Sequence, residues 1–291
     1  AALVFAFLAP MAAINGMYTA YFSGRRMSPG EGLSGYPGLQ LVETVQFRSN
    51  LGQYLTGHFF EQDSTTSPKG LIVLSHGIGD DRQGGCFNYL REIAAFTRRG
   101  YRVFAFDNTG YGESEGENRG GLPQAAVDLE FALLYLESRE DLSGLPMMLY
   151  GHSWGGYAVC SVLNNDHEIQ AAVSRCGFHR TQDMLVDLGS RIYGECLQEK
   201  AAYIYLYEHF KFGKVVDQTA AKGLQATDAD VLVICGEDDD VIPFAHSIYR
   251  QVQTHDYGPN VQARLWEGSG HNDMTEEQLN GIVDFFDASF S

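Results

Sequence analysis

The chain has 291 residues, 44% of them hydrophobic and 20% charged, which suits one large α/β domain, or such a domain with an insertion, and provides for a sizeable core. Twenty Lys and Arg against 37 Asp and Glu give a net charge of −17; with no basic cluster longer than two residues this argues against a nucleic-acid partner, because phosphate binding needs a basic face. The five cysteines, Cys86, Cys160, Cys176, Cys196 and Cys235, are scattered without a C-x-x-C pair, which argues against both a disulfide framework and a zinc site.

Residues 1 to 22 carry no charge and end just before Arg25 and Arg26. That length fits a membrane span or signal anchor. Pro10, Asn15 and Gly16 interrupt it, which suits instead an amphipathic helix docked on the rest of the chain. The two readings leave a membrane-associated and a cytoplasmic location both open. Residues 27 to 40, rich in Gly, Ser and Pro, read as a linker, so residues 1–40 form an N-terminal segment and the domain proper runs over 41–291.

Two strands are predicted over 41–48 and 53–61, joined through Ser49, Asn50, Leu51 and Gly52, which has hairpin turn chemistry. Leu71 to Ser75 is an apolar run of the kind buried on both faces of a parallel sheet, followed by His76-Gly77-Ile78 and a helix over 86–99. Alternation then continues with strand 102–106, helix 122–138, strand 146–150, helix 154–164 and strand 169–174. After an interruption come strand 231–235, helix 244–254, strand 261–266 and helix 275–288. Strands separated by helices imply right-handed crossovers and a mainly parallel sheet.

Within this order, Pro146 to Tyr157 reads as a strand, a sharp turn at Gly151-His152-Ser153-Trp154-Gly155, and a helix of small residues. A serine at the tip of such a turn is held strained with its hydroxyl exposed, and glycines flank it because side chains there would collide with neighbouring backbone. The interruption at about 177–228 is too long for an ordinary loop and has helical periodicity of its own. Met184, Leu185, Leu188 and Ile192 line one face, and Tyr203, Tyr207 and Phe210 another. At the carboxyl edge of the sheet such an insertion would lie over the serine as a small helical lid with an apolar inner wall.

Four segments in this order resemble the α/β-hydrolase superfamily, in its branch of lid-bearing serine esterases, monoacylglycerol-lipase-like and serine aminopeptidase-like enzymes. They are Ser75-His76-Gly77-Ile78, Asp107 to Ser114, Gly151 to Gly155, and Gly236 to Pro243 taken with Gly268 to His271. The resemblance runs from about residue 41 to the end. It implies an eight-stranded, mainly parallel sheet with helices on both faces and a helical lid, and hydrolysis of a carboxylic ester through an acyl-enzyme. The alternative is a peptidase or amidase.

A serine hydroxyl needs a neighbouring base that is itself oriented by an acid, and in this fold the order along the chain is Ser, acid, His. His246, His255 and His271 follow the acidic cluster, and His271, in a glycine-flanked loop after the last strand, is the expected base. Glu237, Asp238, Asp239 and Asp240 are all open as the acid on the residues alone; the family pattern selects Asp239. A calcium loop is the rival for this run, but the spaced acids and closing glutamate of such loops are missing.

The same resemblance places an oxyanion hole at the backbone amides of Ile78 and Trp154 and puts His76, Gly77 and His152 on the substrate side, the two histidines being read as structural hydrogen-bonding residues. No metal or organic cofactor is implied. The expected partner is a small-molecule ester with an apolar acyl group. An aminopeptidase would need a fixed carboxylate for the free amine, for which the insertion offers Asp183, Asp187 and Glu195.

Overall fold

The computed structural model describes residues 2–26, 32–63, 67–79 and 85–290, except for the side chains of residues 2–8, 192, 193 and 195–197. The strands are β1 (Leu39–Arg48), β2 (Tyr54–Gln62), β3 (Leu71–Ser75), β4 (Arg102–Phe106), β5 (Met147–His152), β6 (Ile169–Arg175), β7 (Asp230–Gly236) and β8 (Val261–Trp266). They form a sheet ordered β1-β2-β4-β3-β5-β6-β7-β8. β2 pairs antiparallel with β1 and with β4, and every pairing from β4 to β8 is parallel. The β1–β2 hairpin closes where the Gly52 amide donates to the Ser49 carbonyl at 2.9 Å, with Gly52 at φ 83°, a value glycine adopts without steric cost.

The apolar strands bury both faces, and successive side chains feed two separate cores. Leu71 and Val73 face α3 (Gln124–Glu137), α4 (Trp154–Val162) and α8 (Ile248–Thr254). Ile72 and Leu74 face α2 (Leu90–Arg98) and α9 (Glu276–Ala288). α9 starts at a capping box, Thr275 and Gln278 satisfying each other's backbone amides. α8 begins four residues after the predicted 244, because Phe244–His246 forms a short 3-10 turn behind Pro243 and Ser247 caps the helix.

The N-terminal segment is one helix, α1 (Ala2–Phe22). Ile14, Met17, Tyr18 and Phe22 are buried, and Ile14, Tyr18 and Phe22 belong with the insertion and the α3 side of the molecule. Among the described residues no helix is long and apolar enough to cross a membrane. From Ile14 onward α1 is packed on the fold. The chain after it is pinned to the loop following β4: Arg26 donates its amide to the Gly110 carbonyl at 2.8 Å, and Gly112 returns one to Arg26 at 2.9 Å. Of the expected linker, residues 27–31 lie outside the described residues, and strand pairing already begins at Leu39.

Between β6 and β7 stand α5 (Thr181–Tyr193), a 3-10 turn, α6 (Ala201–Phe212), a second 3-10 turn and α7 (Ala220–Ala226). α7 lies flat on α4, so close that a Cβ on Gly223 would stand 1.8 Å from the Cys160 carbonyl oxygen. α7 thus packs against α4, whereas α6 packs against both α5 and α1, all of them joined to the core on the α3 and α4 side of the sheet. Met184 and Leu185 are buried as the periodicity predicts; the side chain of Ile192 lies outside the described residues. The predicted α6 face needs correction at one position, because Phe210 is 88% exposed. α6 turns Ile204 and Glu208 inward, and at about 100° per residue Phe210 falls on the opposite side of the helix from Glu208.

Candidate active site

Each strand from β3 to β8 delivers something to one edge of the sheet, the carboxyl edge, where open α/β sheets bind ligands. β5 delivers Ser153, at φ 57° and ψ −112°, a left-handed conformation that costs a non-glycine residue about 1–3 kcal/mol and persists only where the surroundings enforce it. The surroundings here are backbone. A Cβ on Gly155 would come within 1.9 Å of the Ser75 carbonyl oxygen, and one on Gly151 within 2.2 Å of the Gly155 carbonyl oxygen. The Ser153 amide donates to the Arg175 carbonyl at 2.8 Å, and the residue is 7% exposed.

The loop after β7 carries the four acids, and the structure separates them. Asp239 Oδ2 accepts from His271 Nδ1 at 2.8 Å, while its Oδ1 accepts the Val241 and Ile242 amides, each at 2.9 Å. Burial works to raise this carboxyl, but the His271 hydrogen bond and the two amides outweigh it and hold it below the usual carboxylate range. Glu237 accepts the Gly268 amide at 3.0 Å, and Asp238 and Asp240 point to solvent. His246 holds His179 through its carbonyl and His255 is exposed, so among the histidines after this loop it is His271 that meets the acid.

β3 delivers the turn His76-Gly77-Ile78. Among the described residues neither the Ile78 nor the Trp154 amide is taken up by another partner, and the latter opens α4, where the helix dipole favours negative charge. His76 is fully buried; its Nδ1 donates to the Gly77 carbonyl at 2.7 Å and its Nε2 accepts the Asn108 amide at 3.0 Å. His152 is bonded at both nitrogens too, Nδ1 to the Tyr89 hydroxyl at 2.9 Å and Nε2 to the His271 carbonyl at 3.0 Å. Burial, helped by Arg175 and His271, pushes it well below the ordinary histidine range, which keeps it neutral. Both imidazoles are therefore braces between loops rather than groups free to bind a ligand.

A metal ion is a rival use of this edge. His152, Cys176 and His271 have ligating atoms within 4.8 Å of one another. The donor set does not favour an ion: both His152 nitrogens are engaged, and burial pushes the Cys176 thiol up to about 12, far from the thiolate a metal requires.

The comparison with known proteins decides the family. The model for the family described as serine aminopeptidase, S33 matches residues 66–216, just over half of the chain. The chain belongs to that family. The serine aminopeptidase S33 match takes in Ile78, Ser153 and Trp154, while Asp239, His271 and all of α1 lie outside it. Human monoglyceride lipase is 37% identical over 106 residues, covering 36% of this chain and 33% of that protein. The quorum-quenching protein AidA of Acinetobacter baumannii is 28% identical over 155 residues, covering 51% and 47%, so the chain spans a third to a half of the length of these curated relatives. Alpha/beta hydrolase domain-containing protein 17C of Xenopus laevis is 27% identical over 249 residues, covering 81% and 66%. An esterase from Pyrococcus furiosus superposes with a TM-score of 0.69 at 14% identity, over 92% of this chain and 98% of that one, which shows the shared α/β-hydrolase fold.

Residues that sequence reasoning passed over tie this S33 site together. The Tyr89 hydroxyl accepts the Gly77 amide at 2.9 Å and donates to His152 Nδ1, joining the β3 turn to the His271 loop. Arg175, buried at the end of β6, reaches the His271 carbonyl at 3.4 Å and the Tyr150 hydroxyl at 3.2 Å. Arg175 is the one charged residue of β6, at its carboxyl end, and that was a signal for it. Nothing in the local sequence marks Tyr89, which depends on a contact 63 residues away.

Proposed function

We propose that the protein is a serine hydrolase that cleaves carboxylic esters through an acyl-enzyme on Ser153. The observation that carries this reading is the Asp239–His271 pair at 2.8 Å, with the His271 carbonyl bonded to His152 at 3.0 Å, the residue before a serine forced to φ 57° at the head of a helix. The Ser153 hydroxyl has no hydrogen-bond partner among the described residues, so it is available to His271 Nε2 once a bound substrate excludes water. As Oγ attacks the ester carbonyl, its proton passes to Nε2, and Asp239 holds the other ring nitrogen and stabilises the imidazolium. The Ile78 and Trp154 amides receive the oxyanion; removing one such donor elsewhere costs about 10²–10³ in rate. Collapse expels the alcohol, protonated by His271, and a water activated by the same nitrogen releases the acid.

Esters are favoured over peptides with a free amino terminus because the acids that would capture the amine are already paired. Asp183 lies 3.3 Å from Arg180 and 3.6 Å from His179, and Asp187 lies 2.8 Å from Arg191; the side chain of Glu195 lies outside the described residues. The resemblance to a protein named monoglyceride lipase points the same way. The test is kcat/KM on p-nitrophenyl esters and on aminoacyl p-nitroanilides, with Ser153→Ala as control. Esters should be cleaved far faster, and Ser153→Ala should abolish turnover while keeping its fold. Faster cleavage of the anilides would replace the esterase by an aminopeptidase, and turnover by folded Ser153→Ala would end the serine mechanism.

A further inference from the structure

The direction of the Ile78 amide is set by the peptides on either side of that residue, and both are held at their carbonyls from the loop after β4. The Gly77 carbonyl, which shares a planar peptide with the Ile78 N–H, accepts from His76 Nδ1 at 2.7 Å, and His76 Nε2 accepts the Asn108 amide at 3.0 Å. The Ile78 carbonyl accepts from the Tyr111 hydroxyl. Tyr111 is fully buried, its ring centroid 4.8 Å from that of His76 and 6.0 Å from that of Trp154. Burial pushes its pKa up to about 12, so the hydroxyl keeps its proton and stays a donor.

Tyr111 is in turn gripped by the chain that follows α1. Arg26 pairs with it as an isolated parallel bridge. The Arg26 amide donates to the Gly110 carbonyl at 2.8 Å on one side of Tyr111, and the Gly112 amide donates to the Arg26 carbonyl at 2.9 Å on the other. The Arg25 guanidinium adds bonds to the carbonyls of Gly112 at 3.1 Å and Ser114 at 2.7 Å. A few residues earlier Ser23 bridges Asn118, and the Arg119 amide donates to the Phe22 carbonyl at 3.0 Å. We propose that Tyr111 is a positioning residue for the Ile78 amide, and that residues 22–26, which lie outside the family match, are the clamp that holds Tyr111 in place. The proposal rests on the esterase reading, which gives that amide its charge to receive. A donor stabilises a developing oxyanion fully only when it is fixed beforehand, and a peptide free to swing spends part of that stabilisation on being reoriented.

The experiment compares the wild type, Tyr111→Phe, Arg26→Pro and the double variant on p-nitrophenyl butyrate. Tyr111→Phe removes the hydroxyl and keeps the buried ring; Arg26→Pro removes the amide that Gly110 accepts and keeps the test decisive where the first variant does not fold. Each protein is also titrated with an alkyl trifluoromethyl ketone, whose serine adduct places an oxyanion on the same donors, and with the methyl ketone of equal length, which binds without forming one. Because the donor is loosened rather than lost, kcat should fall about tenfold in Tyr111→Phe, less than the 10²–10³ of an outright deletion, with KM within about twofold. The Ki of the trifluoromethyl ketone should rise by the same factor while that of the methyl ketone stays put. Arg26→Pro should show the same pattern, and the double variant should lose little more than Tyr111→Phe alone, because both act through one peptide. A smaller folded fraction would lower kcat and leave every Ki alone, so an unchanged trifluoromethyl ketone Ki in both variants overturns the proposal. Losses that multiply in the double variant overturn the clamp. A wild type that turns over no ester overturns the esterase reading instead.

Discussion

Four adjacent carboxylates could have served the base equally by sequence, and at the scale of single residues the structure distinguishes them by hydrogen bonds. Asp239 alone of the four receives His271 Nδ1, and its second oxygen is fixed by two amides, so the carboxylate that orients the ring is itself held in place. Asp239→Asn should lower kcat by about 10⁴, the loss expected when the histidine is held in the wrong tautomer. Asp238→Asn and Asp240→Asn, at exposed positions, should each stay within about threefold of wild type. Steady-state kinetics on one ester decide it, and a larger loss at Asp240 than at Asp239 would reassign the acid. Ser153 was legible because its two constraints are local: glycines two positions before and after it are the only residues the backbone contacts tolerate. Asp239 was not legible from physics alone, since the amides that select it are made by a turn whose geometry no residue type dictates.

At the scale of elements, α1, α5 and α6 meet on one buried carboxyl. Glu208 accepts from the Thr181 hydroxyl at 2.8 Å and the Tyr18 hydroxyl at 3.4 Å, and burial pushes its pKa up to about 8 despite those bonds. A carboxyl raised in the folded state binds its proton more tightly there than in the unfolded chain. Its contribution to stability is therefore fully present below the unfolded value of 4.5, erodes as the pH rises, and is gone above about 8. Between pH 6 and 9 the melting temperature of the wild type should fall more steeply than that of Glu208→Gln, which keeps an uncharged acceptor at the same place. Parallel slopes would remove Glu208 as the titrating group. The helices themselves were legible from periodicity. Their inward faces were only half legible: the apolar pattern selected Phe210, whereas the cluster buries a glutamate, because a hydroxyl from each neighbouring helix compensates its burial.

On the scale of the whole molecule, a net charge of −17 surrounds a site whose proposed substrate is neutral. Such a field leaves an uncharged ester unaffected and repels an anionic one until salt screens it. The kcat/KM for p-nitrophenyl butyrate should be flat between 20 and 500 mM NaCl, while that for p-nitrophenyl hemisuccinate should start lower and rise by roughly two- to fivefold. A flat response for both would mean that the charge lies too far from the entrance to matter. The parallel run of the sheet was legible because strands alternate with helices from β3 onward, whereas the reversal that sets β4 between β2 and β3 was not. The place of the N-terminal segment was not. A charge-free run of that length has the same composition whether it meets lipid or protein, and its partner lies elsewhere in the chain.

That separation has a consequence during synthesis. The hydroxyl of Tyr18 finds its carboxylate partner 190 residues later in the chain, so α1 emerges from the ribosome long before the surface that covers it exists. At roughly 5–20 residues per second, it waits about 10 to 40 seconds. Throughout that interval its apolar residues are open to any chaperone or apolar surface within reach, and slower elongation lengthens the exposure.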